Sequence, residues 1–440
     1  MMKSLACSPF LLLVYLISFT QVQAADLLQI YHEAREHDAQ YAAARAAFVA
    51  AQERIPQSRA GLLPVVNFTG SAQNQYIDTN FGPERLIKNR GIALTATQPL
   101  IRIENFIVYE QSKNEVKQAD AEFVLSAQDL ILRTAQNYFD VMMAQINLDV
   151  VETQKKAISE QLEQAKRNFE VGVSTIVDTH EAQARFDLVL SQEIAAKNML
   201  EIARRTLQGL INRFPHDLQD TSLEKIIADP LLQPEGEMED WVQSAQERNF
   251  ALKIQKVAFN FAEQEIRRNK AGHYPTLDLV AQYSNQKGVG GAFTGQGIDL
   301  VSKSVGLQLN VPIFAGLSVQ SKVREAIANR DKAREELENT RRMTALQVRQ
   351  QYLNVTNGIA QIRALRQALI SSRSQLDSTS LGQEVGVRTE VDVLNAQQQY
   401  FSARRDLAQS YYDYLMARLR LQAETGSLDE EDILEINALL

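Results

Sequence analysis

Charged residues that could attract ions or form ion pairs occur in two copies of one short segment. Residues 171–183 and 385–397 are identical at eight of thirteen positions, although they lie 214 residues apart. Each copy carries an aspartate, Asp178 in the first and Asp392 in the second, and the second copy adds Arg388. Such groups can attract cations or form ion pairs. An acid in the first turn of a helix also stabilises it through the helix dipole, which is the alternative role of both aspartates.

Both copies have the composition of a tight turn between two helices. Gly172 and Gly386 suit the left-handed residue just past a helix end. Thr175 and Thr389, three residues later, suit the N-cap of the next helix, with an aspartate at its third position. The sequence therefore predicts two helical hairpins with the same tip.

Motifs for catalysis or for metal binding are missing from the sequence. The single cysteine is Cys7, and no Gly-x-Ser-x-Gly, phosphate-binding glycine loop or Cys/His cluster occurs. His32 and His37 flank a zinc-protease-like segment, but they are five residues apart and do not share a helix face. We expect no catalytic residue, no cofactor and no bound metal.

The first 24 residues are predicted to be a secretory signal peptide. Lys3 precedes an apolar run over residues 10–19, and Ala24 ends an acceptable cleavage site. The formal charge of the chain is −8, and no basic stripe occurs, so no nucleic-acid partner is expected. An exported chain without an apolar stretch of eighteen residues is periplasmic, secreted, or inserted in an outer membrane as strands.

The rest of the chain is predicted to contain two copies of one structural unit, over residues 25–238 and 239–440. In the first unit, alternating residues predict strands 65–77 and 91–100, separated by a polar loop over 78–90, within a β-hairpin at 62–101. The other predicted elements of this unit are helix 26–59, long helix 102–170, helix 174–212 and an irregular connector over 213–238.

The second unit repeats the same order. Strands are predicted at 276–286 and 304–311, around a glycine-rich loop at 287–299, within a hairpin at 273–313. Helices are predicted at 239–271, at 316–382 (the second long helix), at 389–424, and as one short helix in the acidic tail 427–440. At about 1.5 Å per residue each long helix is ~100 Å, and two half-length helices would lie end to end beside it.

Four strands per chain cannot close a barrel, and open sheet edges are not tolerated in lipid. Known membrane barrels start at eight strands, so two, three or four chains would satisfy closure. A soluble arrangement, with the hairpins packed on a partner, is the alternative. Export, strands of membrane length and ~100 Å helices favour a barrel continued by a helical tube.

With these motifs in order, the chain resembles the TolC-type outer-membrane factors, the exit ducts of efflux pumps and type I secretion systems. The resemblance covers residues 25–438 and includes both tips. Its remaining motifs are Gly61-Leu62-Leu63-Pro64, Gln98-Pro99-Leu100 and Val311-Pro312-Ile313-Phe314-Ala315-Gly316. It implies a homotrimer with a twelve-stranded β-barrel in outer-membrane lipid, four strands per chain, continued by a long α-helical periplasmic tunnel.

The resemblance also implies a gate at the periplasmic tip. Carried over by position, the gate arginine resembles Arg388 and its acidic partner resembles Asp178. Gln383 stands where the family has a tyrosine, and Val177 stands where it has a threonine. Two of the four gate positions therefore depart from the family.

The same carry-over places an acidic constriction of the pore beside the gate. The two acidic positions of the family fall at Asp392 and Asn395, so one acidic ring of three aspartates is expected in a trimer. A periplasmic adaptor protein is expected to contact the hairpin tips, which contain Gly172 and Val173 in one hairpin and Gly386 and Val387 in the other.

The function expected is a passive export channel of the outer membrane, with energy supplied by an inner-membrane transporter. Drugs, metal ions and secreted polypeptides would all use the same conduit. The rival class is a coiled-coil structural or adhesive protein of the envelope, and an enzyme is disfavoured because no catalytic constellation appears.

Overall fold

The computed structural model describes residues 25–80, 82–215, 218, 223–289 and 297–440. The predicted signal peptide, residues 1–24, lies outside the described residues. The helices are α1 Leu27–His37, α2 Ala39–Gln52, α3 Arg54–Ala60, α4 Ile103–Glu170, α5 Ile176–Ile211, α6 Leu223–Ala228, α7 Met238–Arg248, α8 Phe250–Lys270, α9 Ser318–Glu384, α10 Glu390–Thr425 and α11 Glu430–Leu439. None of the described helices is long and apolar enough to cross a bilayer.

Four antiparallel strands form one sheet in the order β1-β2-β3-β4. The strands are β1 Val65–Thr79, β2 Gly82–Ile101, β3 Thr276–Val289 and β4 Ile298–Asn310. The polar loop predicted at 78–90 is wrong, because residues from 82 onward belong to β2 and pair with β1, with Lys88 opposite Asn74. The residues of 287–299 that are described likewise extend β3 and β4, so the predicted glycine-rich loop is too long. Polar side chains do not end a strand whose backbone stays paired.

Each face of this sheet has its own polarity. Residues directly opposite in adjacent strands share a face. Phe68, Leu94 and Tyr283 lie in one such row, and Leu279 and Leu307 face each other in another. The opposite face carries small and polar side chains. One row on this face consists of Thr69, Ala93 and Ser284, and a second row consists of Asn67, Thr95, Gln282 and Ser304.

The two long helices lie almost where the sequence predicts them. α4 has 68 residues and α9 has 67, which corresponds to about 100 Å each. α4 packs along α5 and α9 packs along α10, so each long helix forms a hairpin with the helix that follows it. At the other end of α4, Arg102 donates two hydrogen bonds to Asp278 of β3, at 3.0 and 2.6 Å, and ties the helix start to the sheet.

The single helices predicted at 26–59 and 239–271 are wrong, because both regions are broken. Asp38 and Asn249 have extended backbones with ψ of 118° and 130°, which end α1 and α7. The side chain of Asp38 accepts a hydrogen bond from the Tyr41 amide at 2.6 Å, and Asn249 caps Leu252 in the same way at 3.0 Å. Each residue therefore starts a new helix as its N-cap. A second break at Glu53 precedes α3, whose first turn contains Pro56.

The main core lies where α4, α9 and α10 meet α1, α7 and the chain ends. Tyr138, Phe139, Tyr411 and Tyr414 are fully buried there. The region predicted as an irregular connector, 213–238, contains the short helix α6, and the side chain of Ile226 in this helix is fully buried in the core. The acidic tail forms α11, as predicted.

Candidate site at the hairpin tips

The two tips have the same backbone. Gly172 and Gly386 have φ of 75° and 79°, in the left-handed region that favours glycine. After each glycine the chain folds back onto the preceding helix. The amide of Val173 donates to the Asn168 carbonyl and that of Val387 to the Gly382 carbonyl, both at 2.8 Å. These bonds satisfy helix carbonyls that would otherwise lack a partner.

Both tip aspartates form capping boxes. Asp178 accepts from the Thr175 amide at 2.9 Å, and Asp392 accepts from the Thr389 amide at 3.0 Å. The threonine hydroxyls accept from the aspartate amides in return, at 3.3 and 3.2 Å. Both aspartates therefore stabilise the start of a helix, which is the alternative role that the sequence suggests for them. The Thr389 amide and hydroxyl, with Arg388 nearby, hold the pKa of Asp392 below its usual value.

Arg388 and Asp178 are not joined within one chain. Among the described residues, no ion pair within 4.0 Å connects them, and the Asp178 carboxylate accepts from the amide and hydroxyl of Thr175. The aliphatic part of Arg388 instead lies over Gly382, where a Cβ would come within 2.8 Å of the arginine Cγ. Their role as a gate pair stays a prediction.

The two gate positions that depart from the family differ in their surroundings. Gln383 donates from Nε2 to Oε2 of Glu390 at 3.2 Å, across the tip of the second hairpin. Val177 is 65% exposed. Burial raises the pKa of Glu390, the carboxylate of Asp178 raises it further, and the Gln383 hydrogen bond opposes both. Glu390 and Asp178 are therefore two acids of different hairpins that repel each other.

Arg185 of α5 joins the two hairpins, and sequence reasoning missed it. It donates to Oδ1 of Asn395 at 3.0 Å and to Oε1 of Gln398 at 3.3 Å, both on α10. It also pairs with Glu181 on its own helix at 3.5 Å. Only the Glu181 contact has a sequence signal, since the two residues are four apart on a helix.

An apolar contact lies beside this arginine. Leu394 of α10 is buried against Val151 and Ile158 of α4 and Val189 of α5. The second hairpin thus inserts a leucine between the helices of the first.

The outermost surface of each tip is apolar and exposed. Val171, Val173, Val385 and Val387 are between 67% and 76% exposed. Among the described residues, no group of three or more His, Cys, Asp or Glu is arranged to hold a metal ion.

Comparison with known proteins matches the family described as outer membrane efflux protein over residues 30–213 and 241–427. The outer membrane protein TolC of Vibrio cholerae is 32% identical, covering 95% of this chain and 94% of the relative. The proteases secretion protein PrtF of Dickeya chrysanthemi is 31% identical, covering 97% and 94%.

Solved structures share the fold at lower identity. CusC has a TM-score of 0.79 at 16% identity, covering 93% of this chain and 96% of that one. The outer membrane protein VceC of Vibrio cholerae has a TM-score of 0.76 at 16% identity, covering 91% and 96%. The fold class predicted from the sequence, barrel strands continued by a long helical tunnel, is confirmed.

Proposed function

Because the chain belongs to the outer membrane efflux protein family and is an outer-membrane export duct, we propose that three copies form one passive channel, gated at its periplasmic tips. The family resemblance seen in the motifs is confirmed by these relatives. The family is one of transport ducts, not of enzymes, and we propose that this chain performs no catalysis.

The observation that carries the proposal is the two-faced sheet with two open edges. One face presents apolar side chains, among which Phe68 is 68% and Val305 is 75% exposed. The other face is small and polar. Lipid suits the first and water the second. β1 and β4 each pair on one side within the chain, so the edges of neighbouring copies would pair and close the barrel.

The helical part supports the same assembly. Leu188, Ile194, Met199 and Ile202 of α5 are each 57–64% exposed in a single chain. A neighbouring copy packed against α5 would remove these side chains from water, which stabilises the tube by the hydrophobic effect. Three chains would surround one central passage.

The gate and the constriction belong to this proposal. Arg388 has no ion-pair partner within 4.0 Å among the described residues, and it is exposed, so an acid of a neighbouring copy such as Asp178 can pair with it. Gln383 and Val177 lie in the same region. Asp392 would form one ring of three carboxylates at the aperture, with Asn395 next to it. Acidic rings favour cations.

The apolar tips suit contact with a periplasmic adaptor. The exposed valines beside Gly172 and Gly386 offer two similar surfaces per chain, hence six in a trimer. The relative from Dickeya chrysanthemi is named for secretion of proteases. We propose that an inner-membrane transporter works with the adaptor and supplies the energy, since nothing in the described chain resembles a nucleotide site.

Assembly is tested by extraction and mass. The protein should leave outer membranes only with detergent and should have the mass of three chains, in an SDS-sensitive complex, by light scattering corrected for detergent. A monomer that is soluble without detergent would overturn the channel and favour the rival envelope coiled-coil protein.

A further inference from the structure

Arg185 is the charged side chain that bridges the two hairpins of one chain near the tips. Its Nη2 lies 3.0 Å from Oδ1 of Asn395 and its Nη1 lies 3.3 Å from Oε1 of Gln398. These acceptors are three residues apart on α10 and therefore face the same side of that helix. The guanidinium presents several donors in a fixed fork, so it can hold two acceptors at once.

The position of this bridge makes it a mechanical link. α5 packs along α4, α10 packs along α9, and α5 and α10 approach each other closely over only a short length. One helical turn after the arginine, Val189 is 2% exposed and packs with Leu394, which precedes Asn395 and is 3% exposed. The polar bridge thus lies next to an apolar contact that also joins the hairpins.

We propose that Arg185, with Asn395 and Gln398, is the latch that keeps the two hairpins of each chain closed. This inference rests on the proposed channel function and names the contact that must break for the tip to open. Arg388 and Asp178 make no such link within one chain, whereas Arg185 does.

The latch also changes the effect expected from a substitution at Asn395. An aspartate placed at this position would meet Arg185 at ion-pair distance instead of adding a free charge to the aperture. Asn395→Asp should therefore strengthen the latch and lower conductance, without the stronger cation block that a second acidic ring would give. In Arg185→Gln/Asn395→Asp the new carboxylate loses its partner, and stronger block by a trivalent cation should appear.

The test is single-channel recording of the purified protein in planar bilayers. Arg185→Gln should raise the fraction of time that the channel is open about fivefold, which is the change expected when one weak interaction is lost. Asn395→Ala removes one of the two acceptors and should have a smaller effect in the same direction, and the double variant should open no more than Arg185→Gln alone. Arg205→Gln is the matched control, because Arg205 also lies on α5 but bonds Glu201 and Gln208 of the same helix. It should behave as the wild type.

The outcomes separate the two proposals. Absence of any current from the wild type would overturn the channel function. Currents from the wild type that Arg185→Gln and Asn395→Ala both leave unchanged would overturn the latch alone. Additive effects of the two substitutions would also overturn it, since they would act through different contacts. Trimer mass, measured for every variant, shows that each compared channel is assembled.

Discussion

Replacing Gly386 with alanine tests the tip turn by its backbone alone. Gly386 has φ of +79°, and an added Cβ would have no atom within 4 Å. The substitution therefore adds no clash, and its cost is that of the left-handed conformation in a residue with a side chain, about 1–2 kcal/mol. The tip turn would be destabilised by the same amount in every chain of a trimer.

Hydrogen exchange at the tip measures the effect. The amides of Val387 and Arg388 both donate to the Gly382 carbonyl, at 2.8 and 3.1 Å, so local opening frees them together. Their exchange in Gly386→Ala should accelerate roughly five- to thirtyfold. Gly172→Ala should do the same at Val173, whose amide is held by Asn168 in the other tip.

Gly209→Ala is the matched control. Gly209 lies inside α5, and an alanine Cβ there would also meet nothing within 4 Å. Alanine in a helix interior is better than glycine by about 0.5–1 kcal/mol, so this variant should be slightly stabilised. If Gly386→Ala leaves exchange at Val387 unchanged, the left-handed turn does not hold the tip and the reasoning is refuted.

Two further predictions concern acids. The raised pKa of Glu390, caused by burial and by Asp178, means that protonation favours the folded tip. The tip should therefore gain stability as pH falls through this raised pKa, above the usual 4.5, and Glu390→Gln should remove that dependence, measured by exchange at Val387 between pH 4.5 and 8. Asp38 has a lowered pKa because Arg133 donates to it at 3.0 and 3.1 Å, so its stabilisation is present above the usual 3.8 and is lost as pH falls below that value. Asp38→Ala removes both the cap and this bond and should cost about 2 kcal/mol in chemical unfolding of the detergent-solubilised protein, whereas a wild-type value would refute the helix-break account.

Sequence patterns predicted the features that depend on local chemistry. The first long helix follows from a run of about 69 residues, 102–170, without glycine or proline, and the capping boxes follow from Thr and Asp at the spacing seen at 175 and 178. The breaks at Asp38 and Asn249 were missed. Each lies inside a continuous helical pattern, and its side chain also bonds a distant segment that the sequence does not place beside it, Arg133 for Asp38 and the Glu424 carbonyl for Asn249.

Contacts between residues that are far apart in the chain could not be predicted from the sequence. Arg185 and Asn395 are 210 residues apart, and no local spacing relates them. The extent of β2 was missed for a related reason. Its first half is polar, and only pairing with β1 and β3 shows that it remains a strand.

Block of the channel by a trivalent cation tests the central claim most directly. The wild type in a planar bilayer should give discrete currents that the cation blocks from the periplasmic side. Asp392→Ala should abolish this block because it removes the carboxylate ring. Thr389→Ala is the matched control, since it loses the same capping box but keeps the carboxylate, and its block should persist. Block that survives in Asp392→Ala, or no current from the wild type, would contradict the account of a duct narrowed at its periplasmic tips.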